Sequence, residues 1–160
     1  MLTSPRSIKG FTLIELLVVI AILSILLVIV LVAINPARQT KAARNTQRKA
    51  DVLTILNAVG QYYVATGSFP GNIDNVATGT PKFINSGDSD TGTNFCNDLV
   101  PTYVAALPFD PFDSNNGKSY KFTDCPTTPW DTGYTITKNT GDRITISSIE
   151  AEDIPISVSR

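Results

Sequence analysis

Three groups of residues in this chain have types and spacings that could do chemistry. The first is Gly10-Phe11 with Glu15 close behind, at the head of an apolar run in which Ser24 is the one polar side chain from Leu16 to Ile34. A carboxylate there needs a partner of opposite charge or a place at a polar boundary. The second is Asp110, Asp113 and Asn115 ahead of Gly117, an alternation of oxygen ligands before a tight turn that could hold calcium. No bidentate Glu closes that pattern, and the same residues serve any turn, so a plain turn is the stronger reading. The third is the pair Cys96 and Cys125. Beyond these the chemistry is thin. The chain has no histidine, which removes the commonest acid–base catalyst and metal ligand. It has no glycine-rich phosphate loop and no cysteine–histidine metal spacing, and its carboxylates are scattered through turn sequences. A non-enzymatic protein is expected, with calcium as the one candidate cofactor.

The element that positions the first group is a helix. Residues 11–34 would form a helix roughly 36 Å long, enough to cross a hydrocarbon core of about 30 Å. A secretory signal has a shorter apolar core with its small residue behind it. Here Gly10 stands in front, so cutting after it would leave the apolar helix on the mature chain. The remainder suits one small domain. The net charge of −1 hides an asymmetry. Residues 38–49 carry five positive charges and no acid, whereas residues 50–160 carry 13 acids against 6 bases. A net of −7 makes this head a poor polyanion binder, and DNA is a disfavoured partner.

Residues 9–15 (KGFTLIE) resemble the class III signal of type IV pilins and of the related pseudopilins of type II secretion and DNA-uptake machines. The resemblance implies that a prepilin peptidase cuts between Gly10 and Phe11 and that the new amine on Phe11 is methylated. It implies that Glu15 is the family's assembly glutamate. Cleavage makes the Phe11 amine positive, and methylation leaves it so. In a stack of apolar helices, Glu15 of one subunit can meet the Phe11 amine of another, and a wrong register leaves both charges unpaired. The implied partners are copies of the chain and related pilins, the prepilin peptidase, an inner-membrane assembly platform, and lipid before assembly. The leader would stay inside and the head outside, first in the cytoplasmic membrane and then in an extracellular or periplasmic filament. Charge counting disagrees, because the bases after the span outnumber Arg6 and Lys9 before it. The processing signal makes sense only with the leader inside, and that orientation is adopted.

The rest of the chain reads as α+β: a long N-terminal helix packed on a small antiparallel sheet of three or four strands, the pilin fold that the resemblance implies. Residues 1–10 are the leader, 11–36 the transmembrane and polymerisation helix, and 37–67 its amphipathic continuation. Residues 68–116 form a loop region, and 117–160 the sheet and C-terminal segment. Pro36 kinks the helix or ends it; resumption is favoured because Val52, Ile55, Leu56 and Val59 repeat at one-face helical spacing. The basic run at 38–49 reads as a solvated face or headgroup contact, with intersubunit salt bridges as the sharper option. Gly67 and Pro70 stop the helix. Residues 62–70 (YYVATGSFP) and 107–111 (LPFDP) also resemble the family, and some pseudopilins bind calcium near the second of these.

Residues 71–93 show no period and read as a surface loop. A short helix fits residues 96–103, interrupted by Pro101. Strands are expected at 118–123, 133–138 and 143–149, with a turn at Thr140-Gly141-Asp142. A fourth at 153–160 would be confined to an edge by Pro155. Cys96 and Cys125 are expected as a disulfide if the head lies outside the cytoplasm, and as free thiols otherwise. A bond would close a loop of 28 intervening residues. The expected function is a structural subunit of a pilus-like filament, serving adhesion, motility, DNA uptake or secretion. The alternatives are a pseudopilin of a secretion or competence system and a singly anchored adhesin that does not polymerise.

Overall fold

The computed structural model describes residues 10–112, 125, 129–151 and 155–160. The chain divides into two compact units, Met1–Thr40 and Lys41–Arg160. The first contains helix α1, Leu13–Ile34. Its 22 residues contain no Gly or Pro, and not one of them is buried. Thr12 caps its start, and Asn35 ends it in the left-handed conformation, φ 44° and ψ 74°. Asn is among the few non-glycine residues that visit this region readily. Helix α2, Pro36–Thr66, follows at once. Pro36 is therefore the first residue of a new helix, where its missing N–H costs nothing, and the break in the ladder falls one residue earlier.

In the second unit α2 turns a face inward. Val52, Ile55, Leu56, Ala58 and Val59 are buried, which is the helical spacing read from the sequence. Gly67, at φ +78°, ends α2, and its N–H bonds the Tyr63 carbonyl at 2.8 Å. Strand β1 is Pro81–Asn85, helix α3 is Thr93–Leu99, and strands β2, β3 and β4 are Asp131–Asn139, Arg143–Ser148 and Ile156–Ser159. Among the described residues the four strands form one antiparallel sheet in the order β1-β2-β3-β4. Ile136 faces Lys82 on one side and Ile146 on the other, and Ile146 faces Val158. The inward side chains Ile84, Tyr134, Ile136, Ile144, Ile146 and Ile156 share one core with the α2 face, Phe95, Leu99 and Trp130. Each fully buried aliphatic side chain contributes roughly 1.5–3 kcal/mol.

The α+β architecture is as expected, with differences of detail. Strand β1 lies inside the segment read as a loop. It is a five-residue edge strand in which Ile84 alone is buried, so it has no period for a sequence to display. Helix α3 starts three residues before the expected 96–103 and ends at Leu99, ahead of the interrupting Pro101. Gly141 and Asp142 take positive φ in the turn between β2 and β3. Ile149, out of phase with Ile144 and Ile146, is exposed. The strand expected at residues 118–123 lies outside the described residues, as do the leader at 1–9 and residue 154.

Candidate processing and assembly site

The N-terminal group is built by one local device. The Thr12 N–H and hydroxyl donate to Glu15 Oε2 at 2.8 and 2.7 Å, and the Glu15 N–H donates to Thr12 Oγ1 at 3.3 Å. This reciprocal capping box satisfies otherwise unpartnered groups at the start of α1. Glu15 thus stands in the first turn, facing the helix start, with Gly10 and Phe11 preceding the helix. A Cβ built on Gly10 would meet nothing within 4 Å. Phe11 is 86% exposed. The scissile pair named from the sequence is therefore in accessible, non-helical chain. Past Glu15 nothing polar projects: Ser24 donates back to the Ile20 carbonyl at 2.7 Å.

The other end of α1 is organised by Asn35. Its carbonyl accepts from the Arg38 N–H at 3.1 Å and the Gln39 N–H at 3.4 Å, and its side chain accepts from the Arg38 N–H at 3.3 Å. One residue thus terminates α1 and caps α2.

The head holds a buried polar cluster that sequence reasoning missed. Arg48 belongs by sequence to the basic run expected to be solvated, but it is fully buried. Its Nε donates to Asp110 Oδ2 at 2.7 Å and its Nη2 to Asp110 Oδ1 at 2.8 Å. Asp110 is equally buried. Its Oδ1 also accepts the Phe112 N–H at 2.9 Å, and its Oδ2 accepts the Ser148 hydroxyl at 3.3 Å. The Asp110 carboxylate is thus committed to Arg48 and to the chain around it. The other two candidate calcium ligands, Asp113 and Asn115, lie outside the described residues. Among the described residues no group of three or more His, Cys, Asp or Glu side chains is placed to hold a metal.

One turn along α2, Asp51 accepts from the Tyr134 hydroxyl at 2.8 Å and from Gln47 Nε2 at 2.8 Å. Burial raises the Asp51 carboxyl above its ordinary value, with the Tyr134 and Gln47 donors pulling the other way. Burial and the neighbouring Asp51 carboxylate push the Tyr134 hydroxyl well up, so it stays a donor. The only sequence signal for this cluster was Asp110 itself, inside LPFDP; its partner could not be read from spacing.

Cys96 and Cys125 form a disulfide, with Cα atoms 5.8 Å apart and both residues buried. It ties α3 to the chain ahead of β2. An open apolar groove of about 650 Å3 lies between the last turns of α2 and the β2–β3 turn, lined by Leu56, Tyr63, Val64, Phe69 and Ile144 among others.

Residues 5–31 match the prokaryotic N-terminal methylation motif, the class III signal of type IV pilins and pseudopilins. Comparison with curated proteins and with solved structures gives no match. The motif supports a type IV pilin-like or pseudopilin protein and implies prepilin-peptidase processing and pilin-type assembly. The long apolar helix and the four-stranded antiparallel sheet are consistent with the pilin fold. The apolar helix together with the motif suggests membrane anchoring.

Proposed function

We propose that this chain is a structural, non-enzymatic subunit of a type IV pilus-like filament. The prepilin peptidase cuts after Gly10, Phe11 is methylated, and the subunit assembles with copies of itself through α1. The observation that carries this reading is α1 itself. Apart from Glu15 and Ser24 its 22 residues are apolar, and none is buried, while the second unit closes a core of its own. So much apolar surface requires an apolar solvent. Lipid supplies it before assembly, and the helices of other subunits supply it afterwards. In lipid Glu15 needs a place at the polar boundary; among packed helices a positive Phe11 amine from another copy offers it a partner.

The test is chemical. Mass spectrometry of the mature protein should find methyl-Phe11 at the N-terminus, and electron microscopy should find filaments that are lost on deleting the gene. An N-terminus at Met1 would favour a singly anchored adhesin instead. Glu15→Ala should leave cleavage intact and reduce filaments at least tenfold; normal filaments from this variant would refute the assembly role. A pseudopilin of a secretion or competence system shares all these features and differs in the length and location of its filament.

A further inference from the structure

We infer that the apolar groove at the end of α2 receives Ile149 and Glu150 of a second copy of this chain, a head-to-tail contact between heads. The inference rests on the filament reading above and adds to it a contact that α1 does not make. The groove, of about 650 Å3, is lined by Leu56, Gly60 and Tyr63 of α2, by Phe69, by Ile144 of β3 and by Arg160 beyond β4. Gly60 is what opens it. A glycine inside a helix is disfavoured against alanine, and the subunit itself gives no reason for one here: a Cβ at this position would meet only Arg160 Nη1, at 3.9 Å. The missing side chain leaves room for a group from outside. Arg160 gives the groove a charge. Its Nη1 donates to Asn57 Oδ1 at 3.4 Å, and among the described residues it meets no carboxylate. Asp142 stands on the same rim, but its carboxylate faces Lys138 Nζ at 3.7 Å. The occupant should therefore present an apolar side chain next to an acid.

Among the described residues of the head, one exposed pair fits. Ile149 is 49% exposed, and Glu150, next to it, is exposed and has no basic partner among the described residues. The other exposed apolar side chains do not match. Phe83 follows Lys82, whose ammonium already holds Asp90. Phe112 lies under the Arg44 guanidinium at 4.7 Å, Leu53 has no exposed acid beside it, and Val64 lines the groove itself. Charge complementarity between Glu150 and Arg160 therefore selects a second copy as the occupant. Position makes the contact heterologous. Ile144 lines the groove at the start of β3, whereas Ile149 follows its end, roughly 16 Å along the strand. Knob and groove lie at opposite ends of one strand, so each copy offers its knob to the next and the contact extends through successive copies. One side chain and one ion pair are too little for a stable complex by themselves. Where α1 packing already holds subunits together, the contact is effectively intramolecular and adds register to the filament.

The test uses the full chain in cells, with the sheared filament fraction as readout and methyl-Phe11 checked in every variant. Gly60→Leu fills the groove from within the subunit. It should leave the protein folded, cleaved and methylated and reduce filaments about tenfold or more. Glu150→Arg and Arg160→Glu should each reduce filaments about threefold or more, and Glu150→Arg/Arg160→Glu should restore them to within about twofold of the parent. A short bismaleimide applied to Glu150→Cys/Arg160→Cys filaments should give a ladder of dimers, trimers and longer species, and neither single variant should. Normal filaments from Gly60→Leu overturn the proposal. So does a double charge swap no better than the single ones. Dimers from Arg160→Cys alone would mark a symmetric pairing and overturn it as well. A ladder from Ser24→Cys/Arg160→Cys in place of the Glu150 pair would assign the groove to α1 of another copy, with the same consequence. A parent that keeps Met1 and forms no filaments fails the filament reading and this inference with it; parent filaments without the 150–160 ladder overturn this contact alone.

Discussion

Arg48 and Asp110, 62 residues apart in sequence, meet through two hydrogen bonds with both side chains fully buried. The pair joins α2 to the LPFDP segment, and Ser148 extends it to the end of β3. Apolar contacts between α2 and the sheet are tolerant of sliding. A forked guanidinium on a carboxylate is not, because a shifted helix leaves two charges buried and unpaired. The pair therefore sets where the head sits along α2.

Breaking the pair from one side should be far worse than removing it. Arg48→Met or Asp110→Ala alone should destabilise the head by about 3–5 kcal/mol, because a buried charge loses its partner. The double change Arg48→Met/Asp110→Leu should recover most of that. Chemical denaturation of the full chain in detergent, followed by Trp130 fluorescence, measures all three. A double variant that loses the sum of the two single losses would show that the pair does not couple.

Gly133 tests the same site from the sheet. It sits in β2 at φ +73°, and a Cβ there would lie 2.8 Å from Asp110 Cβ. Gly133→Ala should therefore be penalised twice, by backbone strain and by displacing Asp110, for a loss of about 2–4 kcal/mol. Gly141→Ala, also at positive φ but with nothing within 4 Å, isolates the backbone part and should cost about 1–2 kcal/mol. Thermal denaturation of the two variants side by side separates the contributions.

Asp51 gives a pH dependence of defined sign. Burial raises its carboxyl in the folded state above the ordinary 3.8. The protonated form therefore favours folding. That contribution is fully present below about 3.8 and is lost as pH rises through the raised folded value. Asp51→Asn is neutral throughout and retains an acceptor for Tyr134. Its stability relative to the parent should rise between pH 4 and pH 7. Carboxylates common to both proteins largely cancel in that difference. Denaturation midpoints across the range are the measurement, and an advantage that falls with pH would mean the cluster favours ionised Asp51.

What could be read from the sequence was local. The α2 face at Val52, Ile55, Leu56 and Val59 and the alternation of Tyr134 with Ile136 and of Ile144 with Ile146 follow from periods of 3.6 and 2. What escaped was set by distant partners. Strand β1 exists because β2 lies beside it, and its own residues, Pro81, Lys82 and Asn85 among them, resemble those of a loop. Arg48 looks like its neighbours Arg44 and Lys49 until Asp110 is placed on it. In the N-terminal group the reverse holds. Thr12 and Glu15 are three residues apart, so their capping box is local, whereas the intersubunit partner that the resemblance implies for Glu15 lies outside its own turn.

The disulfide should carry a share of the head's stability without defining its fold. Cys96 and Cys125 close a loop of 28 intervening residues. The chain-entropy model gives such a bridge roughly 3–4 kcal/mol. Both cysteines are buried in the core, so Cys96→Ala/Cys125→Ala should lose about that much and remain folded at 25 °C. Reductant should shift the parent's unfolding midpoint and leave the variant's unchanged.

The junction between the helices makes the last prediction, because one residue performs two duties there. Asn35 adopts the left-handed conformation that ends α1, and its side chain caps α2 by accepting from the Arg38 N–H. Asn35→Gly keeps the conformation and loses the cap, a change of a few tenths of a kcal/mol. Asn35→Val loses both, because a β-branched side chain is strongly disfavoured at positive φ. It should therefore convert the break into continuous helix or fray α2 back toward Arg38. Pro36 opposes continuity, since a helical residue there could not donate to Val32. In Asn35→Val/Pro36→Ala both obstacles are gone, and one uninterrupted helix should run from α1 into α2. Backbone amide exchange at residues 33–40 in detergent distinguishes the outcomes. Protection should be low in Asn35→Val and high in the double variant. If filaments require a bend at this position, the double variant should assemble worse than Asn35→Gly, although its helix is the more stable of the two.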